Sequence, residues 1–99
     1  MQVKFRHFGP HLEKRFDGGA VRDRVSKAMD AADTVVFDFD GVQTVSDSFA
    51  DECYAKLTLK FPVDEIKERT KFKNASPFIR VVFANALRKR VSASRRLHV

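Results

Sequence analysis

The chain has no tryptophan and, among its 99 residues, one cysteine, one tyrosine, four glycines and three prolines. A single cysteine excludes an intramolecular disulfide and suits a reducing compartment. Cys53 has no cysteine or histidine at metal-ligand spacing, so it reads as a core residue. His7, His11 and His98 are scattered and show no ligand pattern either. No apolar run approaches the roughly 20 residues that span a bilayer. Met1-Gln2-Val3-Lys4-Phe5-Arg6 lacks the apolar stretch of a signal peptide. These absences lead to the expectation of a cytoplasmic protein with no membrane contact. Phenylalanine, by contrast, is abundant: ten of them, within a 43% hydrophobic share, argue for a folded core rather than a disordered chain. Such a length suits one domain with about three or four strands and helices packed on them.

Acidic and basic residues are unevenly spread. Residues 1–30 carry seven Lys/Arg against four Asp/Glu, residues 31–60 two against six, and residues 61–99 ten against three. An acidic centre is thus followed by a basic end, which suits an acidic partner surface or nucleic acid.

The most structured stretch is Thr34-Val35-Val36-Phe37-Asp38-Phe39-Asp40-Gly41, read as a strand covered on both faces and a turn at Asp40-Gly41. Before it, Gln2 to Phe8 alternates like a half-buried strand. Gly9-Pro10 ends that strand, and Asp17-Gly18-Gly19 introduces a helix with Asp17 or a neighbour as cap. Val21, Val25, Ala28, Met29 and Ala32 share one face of this helix. After the central strand, Ser48-Phe49-Ala50-Asp51 has capping-box spacing, and Phe49, Cys53, Leu57 and Phe61 make a buried stripe ending at Pro62. Asp64 to Asn74 reads as a polar loop leading into a short strand through Ile66, Thr70 and Phe72. Ser76-Pro77 starts the last helix, with Ile79, Val82, Phe83 and Ala86 facing inward. The order β-α-β-α-β-α predicts a single α/β domain over residues 1–91 with a mixed, largely parallel sheet. Residues 92–99 are expected to form a basic, frayed tail.

Asp38 to Glu52 resembles a bacterial STAS-like domain of unknown function: Asp-Phe-x-Gly-Val, a Ser-rich triplet, then Phe-Ala-Asp-Glu. Arg15, Gly18-Gly19 and Arg22 look like that family's Arg, Gly and Arg near the first helix, and Phe72 to Pro77 like its last strand ending in Asn. The resemblance implies a STAS-like fold and a non-enzymatic signalling or interaction module with no cofactor, related to anti-sigma-factor antagonists. In those relatives a histidine-kinase-type ATPase phosphorylates a serine at the second helix start. Here Asp47 stands at that position and Ser46 where they have Asp. The resemblance therefore implies a protein partner, an ATPase of that kind or another regulator. The expected partner-binding residues are Asp40, Ser46, Asp47, Ser48 and Asp51, with Arg15 and Arg22 in support. Ser46 and Ser48, which flank Asp47, are the candidate phosphorylation sites. Helix capping is the simpler role for either serine.

Three other readings compete. Val36 to Val42 also looks like the first motif of the haloacid-dehalogenase hydrolases, which would make Asp38 a nucleophile and Asp40 an acid/base beside Mg²⁺. That family's further Ser/Thr, Lys and acidic pair have no match, and turn or capping hydrogen bonds are the alternative use of the two carboxylates. Gly18-Gly19 flanked by Arg15 and Arg22 offers an anion cradle or a plain tight turn. Arg88, Lys89, Arg90, Arg95 and Arg96 form a basic helix end that serves nucleic-acid binding or the helix dipole, with no recognised nucleic-acid motif beside it.

Overall fold

A computed structural model describes the backbone of residues 1–97 and the side chains of residues 1–93. The main sheet has three strands: β1 (Gln2–Lys4), β3 (Val35–Asp38) and β5 (Thr70–Lys73), in the order β1-β3-β5. Two two-residue strands, β2 (His11–Leu12) and β4 (Thr44–Val45), form a second small sheet. Every pairing is parallel. The helices are α1 (Arg15–Asp30), α2 (Asp47–Cys53), α3 (Val63–Arg69) and α4 (Pro77–Leu97). No helix among the described residues is long and apolar enough to cross a membrane.

The register explains which strand residues enter the core. Val3, Phe37 and Phe72 lie side by side on the covered face. On the other face run Gln2-Val36-Lys71 and Lys4-Asp38-Lys73, where Gln2 and all three lysines are exposed and Val36 is half-buried. The expectation that the central strand is covered on both faces is therefore corrected: helices cover one face only. Val36 suits either environment, because β-branched residues favour strands whether buried or not.

Phenylalanine dominates the covered side. Phe37 is fully buried and its ring meets those of Phe5, Phe39, Tyr54, Phe72 and Phe83 at centroid distances of 5.4 to 6.4 Å. Phe83 brings α4 into this cluster, and Phe49 brings α2 through Phe5. All four inward positions expected on α4 are buried, and Ser76 accepts the Ile79 N–H at 3.2 Å, capping the helix as its sequence indicates.

Several local expectations are corrected. Gln2 to Phe8 is strand only to Lys4 and then turns as a 3₁₀ segment over Phe5–Phe8, burying Phe5. Helix α1 begins at Arg15, without a side-chain cap, so Gly18 and Gly19 lie inside it rather than in a turn before it. The reason is steric. A Cβ on Gly18 would lie 2.9 Å from the Glu52 Cβ and 3.1 Å from the Phe49 carbonyl oxygen, so α1 can cross α2 this closely only over a glycine. Gly19, 4.0 Å from the nearest such atom, is not constrained. We expect Gly18→Ala to destabilise the fold by about 1–2 kcal/mol, overpacking outweighing the helix propensity gained. Gly19→Ala should stabilise it by roughly 0.5–1 kcal/mol. Paired urea titrations distinguish the two.

The stripe from Phe49 to Phe61 is buried as expected, but it is not one helix. Helix α2 stops at Cys53, and Ala55–Leu59 is a 3₁₀ segment. Its tighter turn keeps Tyr54 and Leu57 on the same inward side while Leu59 is exposed. Residues 63–69, expected as loop, form α3. Asp64 and Glu65 lie in its first turn and Lys67 and Arg69 in its last, the charge order a helix dipole favours. The boundary expected near Val91 falls inside α4, whose backbone stays helical to Leu97; His98 and Val99 lie outside the described residues.

Candidate functional site

Asp38 ends β3 with its side chain on the uncovered face, between Lys4 and Lys73 in register. Its Oδ1 accepts hydrogen bonds from Asn74 Nδ2 and the Asp40 N–H, each at 3.0 Å, and its Oδ2 accepts one from Gln2 Nε2 at 3.3 Å. The Asn74 bond, with the Asp40 N–H and the two lysines, holds the carboxyl below the usual range despite partial burial. One carboxylate thus ties together the ends of all three main strands. Asn74 meets it from the left-handed region (φ +56°), which asparagine tolerates.

The chain then turns. Val42 N–H donates to the Phe39 carbonyl at 2.9 Å, and Gly41 takes φ +79°, as the third residue of such a turn requires. Asp40 is exposed, with Arg6 3.8 Å away. Thr44 and Val45 pair with His11 and Leu12, and the His11 ring bonds the Thr44 hydroxyl at 2.7 Å.

Ser46 is the N-cap of α2. Its Oγ accepts the Phe49 N–H at 3.1 Å and donates to the Glu13 carbonyl at 3.3 Å. The capping role expected from Ser48 spacing therefore belongs to Ser46. Asp47 is exposed in the first turn, where its charge suits the dipole. Ser48 is half-buried in a groove of about 270 Å³ between α2 and α4, lined also by Arg15, Asp47, Asp51, Lys89 and Arg90.

Asp51 and Glu52 face inward to a charge cluster. Arg90 of α4 binds both Asp51 oxygens at 2.7 Å, and Arg15 lies 3.4 Å from the same carboxylate. Glu52 takes Arg15 at 2.9 Å, Arg22 at 2.9 Å and Lys56 at 2.6 Å, while Arg22 also donates to the Glu52 carbonyl at 2.8 Å. The Lys56 bond, then those of Arg22 and Arg15, lower the Glu52 pKa to about 2. Arg90 chiefly holds Asp51 below its ordinary value. Three helices are joined here by four cations and two carboxylates.

Of the residues expected at a partner surface, Asp40 and Asp47 are exposed and Ser46 and Ser48 are half-buried, Ser46 as the cap. Arg15, Arg22 and Asp51 serve the charge cluster, and Arg15 and Asp51 also line the groove that holds Asp47 and Ser48. Glu52 and Asn74 had no assigned role from sequence, and Gly18 was read as part of an anion cradle or tight turn rather than as a helix-crossing point. Glu52 was visible as part of Phe-Ala-Asp-Glu, whose first two residues are buried and whose last two clamp helices. Neither reading of Gly18-Gly19, anion cradle or tight turn, holds, since both glycines are helical and the flanking arginines are engaged by acids. Asp38 and Asp40 do not converge with a third acid: among the described residues no three His, Cys, Asp or Glu side chains come together as a metal site. Cys53 is fully buried, and burial pushes its thiol pKa up. Arg88 and Lys89 are exposed, whereas the side chains of Arg95 and Arg96 lie outside the described residues.

Fold and surface together define a small α/β domain with a three-stranded parallel sheet, helices on one face and a capped helix start at its rim. The chain belongs to the family described as the STAS-like domain of unknown function, whose profile matches residues 17–80, well over half of its length. Arg15 falls just before the matched segment. Comparison with curated proteins and with solved structures gave no significant match.

Proposed function

We propose that this domain is a non-enzymatic interaction module that presents the edge from Asp40 to Ser48 to a protein partner. The observation that carries the reading is the division of labour among its acids. Asp38, Asp51 and Glu52 are used up in holding strands and helices, while Asp40 and Asp47 project from a turn and helix start those clamps keep rigid. A preorganised charged edge loses little entropy on docking. The phosphohydrolase alternative gains little support, because Asp38 already accepts three hydrogen bonds and Asp40 points elsewhere.

By family resemblance, the partner is an ATPase of the histidine-kinase type or another cytoplasmic regulator. Of the two serines, Ser48 suits phosphorylation better, since Ser46 is already occupied on both sides as a cap. A phosphate on Ser48 would face Lys89 and Arg90 across the groove and compete with Asp51 for the arginine.

A nuclease-treated affinity capture from native lysate at two salt concentrations tests the reading. Asp47→Arg should weaken recovery of a specific partner about tenfold or more, since like charge at a docking edge repels. Equal recovery by wild type and variant would overturn the assignment of this edge.

A further inference from the structure

The basic third of the chain does not neutralise itself. Among the described side chains between residues 61 and 93, Arg90 alone of the lysines and arginines is in an ion pair. Three of the seven remaining cations line one feature. A groove of about 740 Å³ lies between α3 and α4, beside β5 at the free edge of the main sheet. Val63, Phe72 and Val91, each half-buried, supply apolar surface to its lining over the buried Tyr54 and Leu87, and Lys67, Arg80 and Arg88 stand around it. Asp64 is the one acid among its lining residues.

We propose that this groove docks an acidic segment of a partner protein, one that carries bulky apolar side chains among its Asp and Glu residues. Apolar lining excludes a purely charged ligand as the best fit, because water would stay against it. Surplus cations at the rim select carboxylates over lysines and arginines by direct repulsion. A nucleic acid fits less well. The Tyr54 ring packs against Phe37, Phe72 and Phe83, and its hydroxyl shares a hydrogen bond with the Thr70 hydroxyl at 3.3 Å, so it offers no free face for base stacking. This surface lies on the β5 side of the fold and is separate from the Asp40 to Ser48 edge.

The test uses the full chain, isotope-labelled, titrated with a short synthetic peptide of alternating Leu/Phe and Glu/Asp. Two control peptides replace its acids by Lys/Arg or its apolar residues by Ser, and a single-stranded oligonucleotide of similar length serves as the rival. The expected result is a set of amide shifts at Phe72, Ala84 and Arg88 and an affinity about tenfold or more above both control peptides. Ala84→Glu, which places a carboxylate in the groove, and Arg88→Glu should each weaken binding about tenfold. Lys27→Glu, an equal charge change on α1, should leave it unaltered. Should Ala84→Glu fail to fold by circular dichroism, the exposed Arg88→Glu decides alone. Equal binding of all three peptides, absence of binding, shifts mapped elsewhere, or tighter binding of the oligonucleotide would each overturn the proposal.

Discussion

Phe37→Ala should lower the free energy of unfolding by about 3–5 kcal/mol. The ring is fully buried at the centre of the sheet and touches five other aromatic rings, so its loss removes transfer energy and also leaves a cavity. Edge-to-face ring pairs add about 0.5–1.5 kcal/mol each beyond area, and three of these five, with Phe5, Phe39 and Tyr54, lie near that geometry. Since a domain of this size has only about 5–15 kcal/mol in hand, the variant should be partly unfolded at physiological temperature. Phe37→Leu, which keeps most of the volume, should lose much less. The chain has no tryptophan, so Tyr54 fluorescence in a urea titration is the natural reporter. Its ring lies 5.8 Å from that of Phe37 and will sense the cavity directly. A loss below about 1 kcal/mol would mean that Phe37 does not sit in a packed core.

The second large effect is electrostatic. Glu52→Gln should cost about 2 kcal/mol near neutral pH. Charge-assisted hydrogen bonds contribute roughly 1.5–3 kcal/mol, and the figure is held at the low end because Arg15 is half-exposed and screened. Its dependence on pH follows from the sign of the shift. The Glu52 carboxyl has a folded pKa of about 2, below its ordinary value of 4.5, so its stabilising contribution is complete above pH 4.5. That contribution declines as pH falls and is gone near pH 2. The gap between wild type and Glu52→Gln should therefore be widest near pH 7 and close between about 4.5 and 2. Asp51 and Asp38, both lowered, add to the acid sensitivity of the wild type in the same direction. Urea titrations of both proteins across that pH range provide the measurement, and a gap that stays constant with pH would refute the cluster as the cause.

Sequence legibility followed the length of each signal. Helix α1 shows an inward stripe over several turns, and α4 opens on Ser76-Pro77, so both were visible. The strand through Phe37 was visible too, though its environment was not. An unbroken run of β-branched and aromatic residues has the same appearance whether one face is covered or two. Helix α3 was missed because its seven residues hold just two apolar ones, Val63 and Ile66, too few for a period. Its acidic start and basic end were the usable clue. Strands β2 and β4 pair only two residues each, below any pattern length. At the site, single residues could be named from sequence but their partners could not. Arg15 and Glu52 stand far apart along the chain, and only the crossing of α1 over α2 at Gly18 reveals that they meet.

The parallel order of the main sheet also sets how the chain must assemble. Gln2 meets Val36, and Val35 meets Thr70, so no hydrogen bond of that sheet joins near neighbours in sequence. Each strand pair forms only after a long loop, containing at least one helix, has closed on itself. Loop closure comes before reward, which slows folding relative to an all-helical chain of equal length. Helix contacts are the available guide during that search. Close approach of α1 to α2 brings Arg15 and Arg22 to Glu52, and with them the strands on either side. A glycine in the first turn of a helix is, on this view, as much part of the folding route as of the finished domain.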